Sequence, residues 1–211
     1  MNYLITGGLG FVGRNLCRHF LNAGHQVTAT GLSKNPSLID HPVFKYVSAD
    51  TTKTGKWQEM VKDQDVVINL AGKNIFTRWT EKSKRAIYDS RILTTRNLVE
   101  AISENQPITL LSTSAVGYYG DGKDALLREN SPPGDDFLAS LSVDWETVIR
   151  IGGDDNPRLP RLSTVSRRYP PGEARSTSYR YENRSVPPDL PFWIYRPTSP
   201  RGILFRVCLS G

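Results

Sequence analysis

The sequence predicts an α/β fold over residues 1–150, a doubly wound parallel sheet. Two observations predict it. The apolar run Tyr3-Leu4-Ile5 leads straight into the glycine-rich octet Thr6–Gly13 (T-G-G-L-G-F-V-G), and a helical pattern follows at once. Short apolar runs then alternate with helical stripes as far as about Arg150.

The elements follow in order. Val12, Leu16 and Phe20 recur every four residues, and Cys17 and Leu21 widen that stripe, so a helix follows the octet. Gly24 stands where its stop is expected. Gln26–Thr30 reads as a second strand and Phe44–Val47 as a third, ending near Asp50. Trp57–Val61 suits a short helix. Val66-Val67-Ile68-Asn69-Leu70 reads as a strand covered on both faces. Thr80 is a cap for a long helix whose inward stripe is Ile92, Thr95, Leu98 or Val99, and Ile102. Thr109-Leu110-Leu111 supplies a fifth strand. Asp135 or Asp136 caps a last helix that buries Leu138, Leu141, Trp145 and Val148 or Ile149.

Beyond Arg150 the composition changes. Nine of the 14 prolines fall there, and all nine lysines fall before it. Pro170-Pro171 and Pro187-Pro188 do not fit helix interiors or central strands. Only Phe192–Tyr195 and Ile203–Leu209 look strand-like. The expected organisation is a Rossmann-like domain over 1–150, incomplete at its C-terminal end. A mostly irregular or disordered Arg/Pro/Ser-rich tail over 151–211 stands in place of the last strands and the substrate domain. Such a tail suits translation from a shifted frame or an alternative exon. The sheet would then stop at its fifth strand with an open edge.

Charge follows the same division. Residues 1–150 hold 17 Lys+Arg against 16 Asp+Glu, and residues 151–211 hold 10 Arg against 5 Asp+Glu, so most of the net +6 sits in the tail. Interleaved Tyr169, Tyr179, Tyr181 and Trp193 would let those arginines meet nucleic acid or an acidic partner, but no RNA-binding motif organises them and nucleic acid is not the expected partner. No apolar stretch has the length of a membrane span. Two cysteines make no disulfide framework, and His19, His25 and His41 lack metal-ligand spacing, so a cytoplasmic, metal-free protein is expected.

The octet carries the functional signal. Gly7 allows the bend out of the strand, Gly10 leaves backbone open to a phosphate, and Gly13 lets the helix pack close, while the helix N-terminus offers N–H groups to an anion. The second strand ends in Thr30-Gly31-Leu32-Ser33-Lys34 without an acid for a ribose 2′-hydroxyl. Ser33 and Lys34 are suited to a 2′-phosphate, so NADP is the expected cofactor and NAD the alternative.

The motifs taken together resemble the extended short-chain dehydrogenase/reductase superfamily, and within it the atypical NAD(P)-dependent epimerase/dehydratase branch. The resemblance rests on T-G-G-L-G-F-V-G-R (6–14), V-V-I-N-L-A-G-K-N-I (66–75), R-W-T (78–80), D-S-R-I-L-T-T-R-N-L-V-E-A-I (89–102), S-T-S-A-V-G-Y-Y-G-D (112–121), E-N-S-P-P-G-D-D-F-L-A (129–139) and D-W-E (144–146). It implies that Gly7, Gly10, Phe11, Val12 and Gly13 hold the pyrophosphate. Asp50 would contact the adenine, and Leu70, Ala71 and Gly72 would border ribose and nicotinamide. It also implies oxidoreduction or epimerisation of a small polar or sugar-like substrate, with Ser114 at the hydroxyl position.

The superfamily's helical Tyr-x-x-x-Lys pair is replaced. Counting back from Glu146, its places hold Leu138 and Ser142. The literal Tyr119–Lys123 spacing runs through Gly120-Asp121-Gly122, which predicts a turn. Tyr118 joins Ser114 as a candidate catalytic group, with packing or stacking as its alternative role. Turnover is expected to be poor, and a non-catalytic dinucleotide-sensing module is the competing function.

Overall fold

The computed structural model describes residues 1–34, 38–102, 108–122, 127, 131–154, 162–164 and 205–210. Five parallel strands form the body: β1 (Asn2–Thr6), β2 (Gln26–Gly31), β3 (Phe44–Ser48), β4 (Val66–Asn69) and β5 (Thr109–Ala115), in the order β3-β2-β1-β4-β5. Helix α1 (Phe11–Asn22) covers one face, and α2 (Glu81–Ala101) with α3 (Phe137–Asp154) covers the other. The order turns back on itself at β1 and β4. At that point the carboxyl ends of the strands part and leave a crevice.

Helix α1 forms because its stripe matches the sheet. Leu16, Cys17, Phe20 and Leu21 are buried against Tyr3, Ile5, Val27 and Ala29. It ends as the sequence predicts. Gly24 adopts φ +82°, and the His25 N–H reaches back to the Phe20 carbonyl at 3.0 Å. Helix α2 begins at Thr80, whose Oγ1 accepts from the Ser83 N–H at 3.2 Å. Helix α3 begins after Asp136, whose Oδ1 accepts from the Ala139 N–H at 2.8 Å. The predicted short helix at Trp57 is a 3₁₀ helix over Lys56–Asp63, with Trp57 and Val61 buried under Leu4 and Val67.

Two elements run past their expected ends. Strand β5 continues through Ser112-Thr113-Ser114, because the hydroxyls find partners inside the fold. Helix α3 continues to Asp154, past the boundary expected at residue 150. Two described segments of the tail lie beyond β5. Phe205–Ser210 (β7) lies antiparallel along it with Ser114 opposite Arg206, and Leu162–Thr164 (β6) pairs in turn with β7. Unpaired N–H and C=O groups along a strand edge are a template for any extended segment, which is the physical reason the edge is occupied. The strand-like run at 192–195 lies outside the described residues. Among the described residues no helix is long and apolar enough to cross a membrane.

Cys17 sits under the glycine octet, its Sγ 3.6 Å from the Gly8 carbonyl, and burial pushes its thiol up to about 12. The folded state therefore holds the neutral thiol, and stability from this group is complete below pH 9, the ordinary value, and falls as pH rises towards about 12. A thiol reagent at pH 8 is expected to leave Cys17 unmodified until the chain unfolds, so the denaturant midpoint of labelling should coincide with that of tryptophan fluorescence. Rapid labelling of Cys17 in the native chain would contradict this packing.

Candidate dinucleotide and reaction site

The octet forms the floor of the crevice by backbone contact. Gly7 has φ +67°, and a Cβ there would stand 3.0 Å from the Leu70 carbonyl oxygen and 3.2 Å from the Ala71 Cα. A Cβ on Gly13 would meet the Gly8 Cα at 2.6 Å. Gly8, which the motif logic passes over, is as constrained: its Cβ would fall 2.5 Å from the Ala29 Cβ. Gly10 is the N-cap, with extended backbone and no side chain, and Phe11-Val12-Gly13 brings no acid into the first turn. Uncapped amides, a bare cradle and no competing carboxylate fit a diphosphate. Phe11, within the octet, and Leu32, just after β2, hold exposed side chains, at 75% and 76% exposure.

A polar ladder holds the two sides of the crevice together. Thr6 Oγ1 donates to Asn69 Oδ1 at 2.7 Å and accepts from the N–H groups of Leu70 (3.2 Å) and Ala71 (3.3 Å). Asn69 Nδ2 donates to Thr95 Oγ1 at 2.9 Å and Ser112 Oγ at 3.2 Å, and Trp145 Nε1 reaches the same Thr95 Oγ1 at 2.7 Å. Five elements meet in this buried network. Periodicity showed Thr95 as an inward residue but gave no sign of its partners.

The remaining candidates sit at the carboxyl ends of their strands. Ser33 and Lys34 are exposed after β2, and the Ser33 carbonyl accepts from Tyr46 Oη at 3.0 Å. Asp50 turns its carboxylate into its own loop, accepting from Thr52 N–H at 3.1 Å and Thr52 Oγ1 at 2.6 Å, with Lys53 Nζ at 3.8 Å. Gly72 lies over the Arg91 guanidinium, which a Cβ would meet at 3.0 Å. Arg91 donates to the carbonyls of Lys73 and Ile87 at 3.1 Å each and lies over the Trp145 ring, 5.5 Å from its centroid; burial lowers its pKa from the ordinary value.

Beyond β5 the chain makes a one-turn 3₁₀ helix, Val116–Tyr119. Tyr118 and Tyr119 meet edge to face at 5.1 Å, and Tyr119 is buried. Gly120 at φ +62° ends that turn, so the stretch after Tyr119 leaves the helix as predicted; Lys123 lies outside the described residues. On α3, Leu138 packs against Gly117 and Ser142 Oγ donates to the Leu138 carbonyl at 2.7 Å. Neither residue is placed for acid–base work. The site's carboxyl group is one turn further on. Ser114 Oγ donates to Glu146 Oε1 at 2.6 Å, with Ser114 2% and Glu146 5% exposed. The sequence shows Glu146 only as a landmark beside Trp145, because a lone glutamate on a helix ordinarily faces water.

A parallel sheet with a glycine cradle at its switch point defines a dinucleotide-binding α/β protein. The model for the NAD dependent epimerase/dehydratase family matches residues 3–139, and the chain belongs to that family. A chloroplastic SDR39U1 homolog from Arabidopsis thaliana is 33% identical over 170 residues, covering 78% of this chain and 49% of the relative. The epimerase family protein YfhF of Bacillus subtilis is 40% identical over 149 residues, covering 69% of this chain and 48% of its own length. The chain thus spans about half the length of these curated relatives. Human epimerase family protein SDR39U1 (isoform 2), solved with NADPH, is 31% identical with a TM-score of 0.52, covering 70% of this chain and 48% of that one. UDP-glucuronic acid 4-epimerase from Bacillus cereus, solved with NAD and UDP-glucuronic acid, shares the fold at 22% identity and a TM-score of 0.64, over 74% and 54% of the two chains.

The cradle yields a stability test. Gly13→Ala gains about 1 kcal/mol of helix propensity. It also drives a methyl into the Gly8 backbone at 2.6 Å, an overpacking cost of about 3 kcal/mol. The net expected loss is about 2 kcal/mol in denaturant unfolding. Gly10→Ala, whose Cβ meets only the Gly7 carbonyl oxygen at 3.0 Å, is expected to unfold near the wild-type midpoint.

Proposed function

We propose that this chain binds NADP and that its family chemistry is oxidoreduction, or epimerisation through a transient keto form, on a small polar or sugar-like substrate. The observation that carries the reading is the uncapped α1 N-terminus set against the Leu70–Ala71 backbone by three glycines. Gly7, Gly10, Phe11, Val12 and Gly13 would hold the diphosphate. Ser33 and Lys34 would meet a 2′-phosphate, and Asp50, presented on its own turn, would border the adenine. Leu70, Ala71 and Gly72 would flank the ribose and nicotinamide. When bound, the dinucleotide supplies a hydride acceptor or donor. Ser114, with Tyr118 on the next turn, would orient the oxygen that gains or loses a proton.

Leu138 and Ser142 favour a weakened activity, and they also support the second reading, a dinucleotide-binding module without turnover. The cytoplasmic location and the division into a cofactor-binding domain over 1–150 and a tail over 151–211 belong to the same proposal.

Calorimetric titration with NADPH and NADH tests it. NADPH is expected to bind at least about tenfold more tightly, a difference of about 1.4 kcal/mol, and Lys34→Glu is expected to remove that preference while leaving NADH affinity in place. Equal or tighter NADH binding by the wild type discards the NADP preference, and absence of binding to either discards the cofactor reading. Gly10→Val should weaken both cofactors without changing the unfolding midpoint by more than about 1 kcal/mol.

A further inference from the structure

The most unusual group in the described residues is a carboxyl group at 5% exposure, one helical turn beyond the position where the family pattern leads one to expect a lysine. A buried carboxyl is costly unless its charge is met by hydrogen bonds or it holds a proton. Glu146 takes the Ser114 hydroxyl at 2.6 Å, within the range of a bond to an ionised acceptor. A serine hydroxyl has one proton and two lone pairs. With its proton committed to Glu146, Ser114 can only accept from a third group.

The placement of Ser114 gives that third group a location. Ser112 stands opposite Asn69, the last residue of β4, so Ser114, two residues on and on the same face, lies past the end of β4, on the side where the chain leaves that strand through Leu70 and Ala71. Ala71 borders the expected nicotinamide position. The pair therefore lies at the reaction end of the crevice, away from the diphosphate.

We propose that Glu146 is the proton-holding group of this site and exchanges a proton with a substrate oxygen through Ser114 Oγ. The inference rests on the dinucleotide reading above. In the oxidising direction the substrate O–H bond breaks and its proton passes to Ser114 Oγ. The proton of Ser114 passes to Glu146 Oε1. The carbinol C–H electron pair leaves as hydride to an oxidised nicotinamide, and a C=O bond forms. One carboxylate, one alcohol and one oxidised nicotinamide become one carboxylic acid, one carbonyl and one reduced nicotinamide, so charge and atoms balance. In the reverse direction protonated Glu146 donates to Ser114, whose own proton is then available to a carbonyl. The pair thus accepts from an alcohol in one state and donates to a carbonyl in the other. Glu146 acts through Ser114, so it is a positioning and relay residue, and Ser114 is the group that touches substrate.

Among the described residues, charged and titratable groups meet α3 from several elements. From α2 they are Lys84 near the Phe137 ring, Tyr88 on Asp144 and Arg91 over the Trp145 ring. Tyr118 and Tyr119 come from the 3₁₀ turn, and Arg206 stands opposite Ser114 in the β5–β7 register. None of the α2 groups is joined to Ser114 by a hydrogen bond to its side chain among the described residues, whereas Glu146 is.

The test reads protons rather than turnover. Binding of NADP⁺ and of NADPH to the full chain is measured calorimetrically in buffers of different ionisation enthalpy, across the pH range in which the chain stays folded. The nicotinamide ring is positive when oxidised and neutral when reduced. A carboxyl at the reaction end is expected to make NADPH binding take up more protons than NADP⁺ binding. Glu146→Gln is expected to abolish the difference while both cofactors still bind. Ser114→Ala removes the hydroxyl through which the proton would pass, and is expected to change the difference between the two cofactors; it also decides the question if the Gln variant does not fold. Equal proton uptake for the two cofactors in the wild type, or a difference that survives Glu146→Gln or is unmoved by Ser114→Ala, overturns the proposal. Failure of both cofactors to bind overturns the dinucleotide reading, and this inference with it.

Discussion

The structure depends on one contact between backbones. The first turn of α1 touches the turn that leaves β1, with Gly13 against Gly8 and Gly7 against Leu70 and Ala71 at distances a single methyl would violate. That contact decides where the helix N-terminus points and how far the carboxyl ends of β1 and β4 stand apart. Its energetics are those of close packing, with no slack on either side. Gly8 shows the same constraint from the sheet side, where the Ala29 methyl takes the space a side chain would need. The anion-binding geometry and the packing of the α1 face are therefore one feature. A substitution cannot remove the first without disturbing the second, except at Gly10, which faces outward.

The crevice is held from beneath by hydrogen bonds. Asn69 uses its carbonyl oxygen and both amide protons on Thr6, Thr95 and Ser112, and Trp145 ties α3 to the same Thr95 hydroxyl. Every member is buried, so each would cost about 1–3 kcal/mol if left unpaired. The cost enforces one arrangement of β1, β4, β5, α2 and α3, because no shifted register pairs all of them. Hydrophobic burial brings these elements together, and the polar ladder selects their alignment.

This division explains what was legible in the sequence. The octet, the α1 stripe, the Gly24 stop and the Thr80 cap are local signals, each set by residues within one or two turns, and each stands where the sequence places it. The five-strand parallel order follows from alternation and the handedness of βαβ units. The C-terminal half of β5 was not legible, since Ser112-Thr113-Ser114 reads as polar until its partners 32 to 44 residues away in β4 and α3 are known. Glu146 was hidden for the same reason. Burial of a charged side chain is a property of a tertiary pair, and the spacing of Ser114 and Glu146 carries no local rule. The pairing of β7 with β5 depends on an edge that exists only once the sheet has formed.

The two ends of the crevice are thus built by different physics, and they tolerate change differently. The diphosphate end is made of backbone amides and missing side chains, so it depends on four glycines and on the small side chain of Ala29 beneath them. The reaction end is made of side chains held on three elements, and there the two family positions on α3 hold Leu138, packed over Gly117, and Ser142, bonded to its own helix. On the next turn of α3 a carboxyl lies buried beside the Ser114 hydroxyl. Burial of a carboxyl is costly unless hydrogen bonds meet it, so Ser114 and Glu146 fix each other's placement, and this pair constrains the reaction end as the glycines constrain the diphosphate end.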